Sequence, residues 1–362
     1  MKRILVIGMT GLIGGVETFI YNVVKYIDRG RYHFDFLVIG QDKKSVFEKE
    51  INDLMDDGEN HFYYAPNLKR DFFGASKWLK DFYDSHRYDA IYMNTTTAAR
   101  IMFCRYAVKH QGVKLITHSH SGNAISFKKG LSSRIFKHYV TKNSWEKLAC
   151  SEKAYAWMYD DTPKDDVVIP NGIDTDKFKF SLENRNAVRK ELGIRNDKIV
   201  VGHVGRWAPP KNQIYFVSLS KILGDKYLFL CLGDGPDKEP FLQAVKDEHL
   251  EDRFIVLPAR SDVYRYYSAM DLFAMPSHYE GLPIVAVEAQ SNGLSCVLSD
   301  NISRQTNISG RCEFVSNENI DKWVNAVKEL NLERFDGAKV LKEKGFSIIN
   351  TVSMVEKVFD RI

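Results

Sequence analysis

Short apolar, β-branched runs alternate with stretches of helical period along most of the chain, and this alternation restricts the fold more than any other feature of the sequence. Strand-like runs fall at residues 4–7, 34–39, 90–93, 114–117, 167–169, 199–204, 227–232, 254–257, 272–275 and 295–298. Helical patterns lie between them, at 15–27, 74–83, 212–223 and 283–292. Apolar strands separated by helices belong to parallel sheets covered on both faces. Ten strands are too many for one sheet of ordinary width, so the pattern predicts an α/β protein of two doubly wound domains.

The boundary is expected near Ile169-Pro170-Asn171-Gly172-Ile173-Asp174, where strong turn chemistry follows a strand and a polar stretch runs to about Arg195. This assigns residues 1–170 to the first domain, 171–340 to the second, and 341–362 to a terminal segment. In that segment Ile348, Val352, Val355, Val358 and Phe359 recur at helical spacing, so an amphipathic helix there needs a surface to cover.

No apolar run reaches the roughly 18–20 residues of a membrane span. The apolar run at the N-terminus stops after four residues at a glycine-rich turn, which reads as a first strand rather than a signal peptide. Cys104, Cys150, Cys231, Cys296 and Cys312 are odd in number, far apart and free of C-x-x-C pairs. That spacing argues against a disulfide framework or a cysteine zinc site, and for a reducing, cytoplasmic setting. Charge is unevenly placed: residues 1–170 carry 25 Lys/Arg against 20 Asp/Glu, the remainder 26 against 27. Arg100 to Lys147 holds ten basic residues and one acid, Glu146.

Val6-Ile7-Gly8-Met9-Thr10-Gly11-Leu12-Ile13-Gly14-Gly15 ends a strand and opens a helix, a place where backbone amides can meet a phosphate. Alone, this loop resembles that of NAD-dependent sugar-nucleotide epimerases and dehydratases, and Asp42 would suit a ribose contact. That reading needs a mid-chain Tyr-x-x-x-Lys. The match present, Tyr21 to Lys25, lies on the first helix, away from any cofactor placed by the preceding loop.

Four segments of the second half fall at strand ends, where open α/β sheets bind ligands. Gly202 to Asn212 sets Arg206 and Lys211 five residues apart on one loop, a pair suited to a diphosphate; a solvated basic loop is the alternative. Leu232-Gly233-Asp234-Gly235-Pro236 reads as a structural turn, and Leu257-Pro258-Ala259-Arg260 as a wall for a base. In Ser277 to Ala289, Pro283 fits the first turn of a helix, leaving the Gly281 and Leu282 amides facing outward for phosphate. Glu280 stands just before that end and can reach sugar hydroxyls or cap the helix. Glu288, seven residues after Gly281 in an apolar run, needs a partner, which a ribose diol or an internal Lys or amide would supply.

Gly14-Gly15-Val16-Glu17, Ile169 to Asp174, Val204-Gly205-Arg206 with Lys211-Asn212, Gly233 to Pro236 and Glu280-x7-Glu288 together resemble the retaining GT-B glycosyltransferases of family GT4, from about Gly14 to Ser299. In flavour the chain is similar to bacterial transferases of capsule and exopolysaccharide assembly. The resemblance implies two Rossmann-like domains facing across a cleft, with the last helix crossing back to the first. It implies that Arg206 and Lys211 neutralise the diphosphate of a nucleotide sugar, most commonly a UDP-hexose or UDP-N-acetylhexosamine. It further implies that Glu288 holds the ribose, that Glu280 contacts the transferred sugar, and that Gly14 and Gly15 lie near the phosphate. The family's histidine near the reacting carbon corresponds to His118 or His120, between which the sequence does not choose; a core histidine bonded to a backbone carbonyl is the alternative reading. Transfer with retention is likewise inferred from the resemblance.

No metal cofactor is expected at the donor, since two cations and a helix end serve its charge. Asp174-Thr175-Asp176 has the letters of a metal site but lies in the inter-domain turn. The acceptor is expected at the first domain, as a glycan or lipid-linked glycan. Phe127, Leu131, Ile135 and Tyr139 form an apolar stripe flanked by Lys128, Lys129, Arg134 and Lys137. Such a helix either meets an anionic inner membrane surface or packs on its own sheet with a solvated basic face. No nucleic-acid motif accompanies the basic charge. A sugar-nucleotide 2-epimerase of GT-B fold and a non-catalytic nucleotide-sugar-binding subunit are the other readings.

Overall fold

In the first half of the chain six parallel strands form one sheet: β1 (Lys2–Ile7), β2 (Tyr32–Ile39), β3 (Phe62–Ala65), β4 (Ala90–Thr95), β5 (Lys114–Ser119) and β6 (Glu146–Ala149), in the order β3-β2-β1-β4-β5-β6. The structure, a computed structural model, describes residues 1–12, 14–39, 44–120, 136–159, 161–163 and 167–362. Successive side chains of a strand point to opposite faces. Ile4, Val6, Phe34 and Phe36 therefore pack on one side with helices Gly15–Tyr26 and Ile348–Asp360, while Leu5, Ile7 and Leu37 pack on the other with Phe72–Ser85.

The second sheet repeats the plan. Strands β7 (Ile199–Val204), β8 (Tyr227–Leu232), β9 (Phe254–Leu257), β10 (Leu272–Met275), β11 (Cys296–Ser299) and β12 (Cys312–Val315) lie parallel in the order β12-β11-β10-β7-β8-β9. Both sheets are doubly wound and reverse strand order beside their first strand, at β1/β4 and at β7/β10.

Two units result, residues 1–172 with 348–362, and residues 173–347. At the changeover Gly172 N donates to Thr351 Oγ1 at 3.1 Å within the first unit, and Ile173 N to Phe346 O at 3.0 Å within the second. The return comes at Ile348 rather than residue 341, because Leu341 is fully buried in the second unit's core. All five periodic residues of the last helix are buried in the first unit. Lys2 Nζ donates to the carbonyls of Phe359 and Asp360 at 2.9 and 2.8 Å, satisfying groups a helix C-terminus leaves open.

The structure adds strands β3, β6 and β12, which the periodicity misses. Each is four residues long and is the outermost strand of its sheet among the described residues, where a continuous apolar run is not required. The run at 167–169 is no full strand; Val168 makes a single parallel bridge to Ala149.

Candidate functional site

In the second unit the loops that follow β7, β8, β9 and β10 are fastened to one another by backbone bonds. Trp207 N donates to Asp234 O (3.1 Å), Gly233 N to Leu257 O (3.0 Å), and His278 N to Pro210 O (2.8 Å). The Asp234 carboxylate accepts from Ala259 N at 2.8 Å, so the turn 233–236 and the segment 258–260 hold each other. Asn212, in the left-handed region at φ 55°, donates through Nδ2 to Pro276 O at 3.1 Å. Beneath the first loop, buried His203 bonds Ala274 O at 3.0 Å, and Gln213 Nε2 donates to Arg206 O at 2.9 Å. Burial pushes the His203 imidazole down to about 4, so it is neutral and packs as part of the floor.

The glycines of this turn have a steric cause. A Cβ on Gly233, at φ 147°, would stand 2.0 Å from the Gly205 carbonyl oxygen, and the turn could not close on the β7 loop. Gly233→Ala is expected to lower stability by about 2 kcal/mol or more, read as a melting-temperature drop of several degrees; an unchanged melting curve would remove the argument.

This interlocking brings Lys211 against Glu280, at the head of the segment that carries Gly281, Leu282 and Pro283. Lys211 Nζ forms an ion pair with Glu280 Oε1, both side chains being mostly buried. Glu280 is held by its own backbone, which bridges Ile302 and accepts from Ser303 N at 3.1 Å. Gly281 and Leu282 follow, and then helix Ile284–Ser291. Pro283 is the residue that caps this helix, with extended backbone at φ −70° and ψ 116°, rather than a member of its first turn. Its carbonyl accepts from Ala286 N and Val287 N at 3.0 and 3.3 Å. A side chain on Gly281 would extend into open space, so the segment before the helix is approachable from outside. Arg206 is exposed on the loop after β7.

Glu288 lies on the same helix and is 9 % exposed. Tyr267, on helix Val263–Ala269, donates its hydroxyl to Glu288 Oε2 at 2.7 Å, a partner that none of the sequence alternatives names. Burial raises the Glu288 carboxyl to about 7, while the Tyr267 bond and the charge of Lys177 act in the opposite direction. A carboxyl in that range exchanges its proton near neutrality.

In the first unit the loop after β1 runs to Gly14, which caps helix Gly15–Tyr26 with extended backbone. Gly8, at φ 153°, lets β1 end against β4: a Cβ there would lie 2.9 Å from the Asn94 carbonyl oxygen. Thr10 Oγ1 donates to buried Glu17 at 2.6 Å, and Arg100 Nη1 to Asn94 O at 3.0 Å. His118 and His120 stack at 4.3 Å between centroids at the end of β5, with Phe19 against both rings. They differ in exposure. His118 is fully buried, with Nδ1 2.6 Å from the Tyr92 hydroxyl, which makes it the core histidine of the pair. His120 is partly exposed, with Nε2 2.9 Å from Asn94 Oδ1. Desolvation pushes its imidazole down to about 3, against the Asn171 side chain, so the ring is neutral.

Residues 13–177 match the family described as Glycosyltransferase Family 4, and residues 184–346 match Glycosyl transferases group 1. The chain belongs to the GT-B glycosyltransferases of family 4. It is 28 % identical over 348 residues (86 % of this chain, 85 % of the relative) to the Escherichia coli UDP-Gal:α-D-GlcNAc-diphosphoundecaprenol α-1,3-galactosyltransferase. The Bacillus subtilis protein EpsF, named as a glycosyltransferase, is 26 % identical over 309 residues (81 % and 77 %). Among solved structures, Anabaena HepE in complex with UDP-glucose matches with a TM-score of 0.79 over the whole of both chains at 18 % identity, which shows a shared fold.

For this GT-B glycosyltransferase the rival hydride reading loses its residues: Tyr21 stacks on Phe47 at 4.6 Å and Lys25 lies over the Tyr26 ring. Asp174 caps a local turn through Lys177 N at 2.9 Å, and Asp176 pairs with Lys342 at 2.8 Å. Asp42, Phe127, Lys128, Lys129, Leu131, Arg134 and Ile135 lie outside the described residues, as does Ile13. Of the basic stripe, Tyr139 packs against the first unit's core with Arg105 over its ring, and Lys137 Nζ donates to Ala156 O at 3.2 Å. No helix among the described residues is long and apolar enough to cross a membrane. The sequence reading missed Tyr267 and Asn94. Asn94 is a polar residue ending a buried strand, and that is the signal that could have found it.

Proposed function

We propose that the chain is a retaining, metal-independent glycosyltransferase moving a hexose or N-acetylhexosamine from a UDP-linked donor to a lipid-linked glycan, in capsule, exopolysaccharide or related cell-surface assembly at the cytoplasmic membrane face. The observation that carries this reading is the Lys211–Glu280 pair at the head of the helix bearing Glu288. A cation and a carboxylate thus stand together just before the helix that carries the buried Glu288 carboxyl, which supports the reading. The E. coli relative's named acceptor and the UDP-glucose bound by HepE supply the choice of donor and acceptor class.

In this mechanism the bond between the anomeric carbon and the diphosphate oxygen breaks, its electron pair staying on that oxygen. The acceptor hydroxyl forms the new bond on the same face, and its proton passes to the departing phosphate oxygen. Arg206, Lys211 and the Gly281 and Leu282 amides meet the growing negative charge, the electrostatic stabilisation that fixed groups provide best. Glu280 orients the sugar and opposes positive charge at the ring, and Glu288 accepts from the ribose hydroxyls. By the family resemblance Gly14 and Gly15 are assigned to the donor phosphate and His120 to the reacting carbon, and His118 stacks on His120.

A panel of UDP-, GDP- and ADP-sugars tests this, with nucleotide release measured with and without a polyprenyl-diphosphate-linked sugar in anionic vesicles. The expected result is release from one UDP-sugar that the vesicle-borne acceptor stimulates many-fold, with a glycolipid product of retained configuration. Sugar released without an acceptor in epimerised form would replace the transferase reading, and no release from any donor would favour a binding subunit.

A further inference from the structure

At the opposite end of the first sheet from its glycine loop, where the strands begin, three side chains converge that no part of the transfer chemistry uses. His33 and Asp35 stand two apart on β2 and so share a face, while His61 directly precedes β3. The backbone sets this meeting, because Phe36 N donates to His61 O at 2.8 Å. Asp35 and His61 are almost fully buried, and His33 is partly exposed.

Asp35 Oδ1 lies 3.2 Å from His61 Nδ1 and 3.4 Å from His33 Nε2, and the three ligand-type atoms fall within 4.8 Å of one another. Metal–nitrogen and metal–oxygen bonds of about 2.0–2.2 Å in a tetrahedral site separate neighbouring ligand atoms by roughly 3.3 Å. The two spacings to Asp35 are of that size. The outer contacts also have the form of a metal site. His61 Nε2 is 3.0 Å from Asp57 Oδ1, the carboxylate–histidine arrangement that leaves Nδ1 with its lone pair turned toward Asp35. With its proton on Nε2 toward Asp57, His61 presents Nδ1 as a ligand atom beside the Asp35 carboxylate oxygen, and a cation between them meets both. The other Asp35 oxygen is held by the Tyr88 hydroxyl at 2.9 Å and Arg3 at 3.5 Å, which fixes the carboxylate's orientation.

We propose that His33, Asp35 and His61 bind a divalent first-row transition ion, zinc by the chemistry of its two imidazoles and one carboxylate, joining the start of β2 to the start of β3. Asp57 is a positioning residue for His61. Water completes the coordination, and no step of the proposed transfer uses these residues, so the site does not conflict with transfer free of metal.

The test uses the full chain freed of metal by a chelator and titrated with Zn²⁺ against a chromophoric zinc chelator. One equivalent should bind per chain, and Co²⁺ should give the visible absorption of a four-coordinate site. At a hundredfold excess over the dissociation constant, zinc should raise the melting midpoint by roughly 5 °C or more. His33→Ala, at a partly exposed position that tolerates truncation, should lose affinity at least a hundredfold. Asp57→Asn should lose about 10–100-fold. Absence of saturable zinc stabilisation in the unaltered chain overturns the proposal. So does a one-equivalent site whose affinity survives His33→Ala, since the ion would then sit elsewhere. The rival arrangement, an imidazolium held between Asp35 and Asp57, gives the first of these results.

Discussion

Lys211→Ala is expected to reduce sugar transfer by about 10²–10³-fold, the loss measured when one fixed group facing a developing charge is removed. Lys211 is paired with Glu280 in a mostly buried setting, so truncation also leaves that carboxylate without its cation. A stability cost therefore accompanies the catalytic one, and the two must be separated. The double variant Lys211→Ala/Glu280→Ala does this. Removing both partners returns stability toward the starting value, because no unpaired charge remains. Transfer stays low if the pair acts on the donor. Steady-state rates at saturating donor, together with melting curves, decide the matter; a double variant with restored rates would reduce the pair to a structural tie. Arg206→Ala makes the complementary case. Its guanidinium is exposed, so melting should be unchanged while transfer falls by a similar factor.

The parts of the fold readable in the sequence are those whose burial leaves no freedom of composition. Central strands such as β1, β4, β7, β8 and β10 are covered on both faces, and their residues form the continuous apolar runs that periodicity marks. Edge strands β3, β6 and β12 escape because half-exposed positions admit Tyr63, Glu146 or Glu313. The site divides in the same way. Glu280, Lys211 and Glu288 are legible because they follow strands and flank a helix start at fixed spacing. Their mutual arrangement is not, since the Lys211–Glu280 contact spans 69 residues and the Tyr267 bond to Glu288 spans 21. The different settings of His118 and His120 turn on the partners Tyr92 and Asn94, two residues apart on β4, a relation of register that no local pattern contains.

Glu288→Gln is expected to separate stability from donor binding in opposite directions. The folded-state carboxyl is raised from 4.5 to about 7, chiefly by burial. Between those values the folded chain keeps a proton that the unfolded chain has released, so stability falls as pH rises through this window and levels off above about 7. The whole effect amounts to at most about 3 kcal/mol, and it is absent below pH 4.5. At pH 8, Gln keeps the Tyr267 bond without a buried charge, so the variant should melt above the unaltered chain, whereas near pH 5 the two should nearly coincide. Binding runs the other way. Ribose hydroxyls donating to Glu288 favour its ionised form, so donor affinity should rise between pH 6 and 8 in the unaltered chain. In Glu288→Gln that dependence should vanish, and the KM for donor at pH 8 should be higher by about tenfold or more, the scale of one or two hydrogen bonds to a charged group. Donor KM measured from pH 5.5 to 8.5, beside melting curves at the same values, checks both halves. A variant that is stabilised at pH 8 yet binds donor normally would leave Glu288 a buried carboxyl of the fold and remove the ribose from its account.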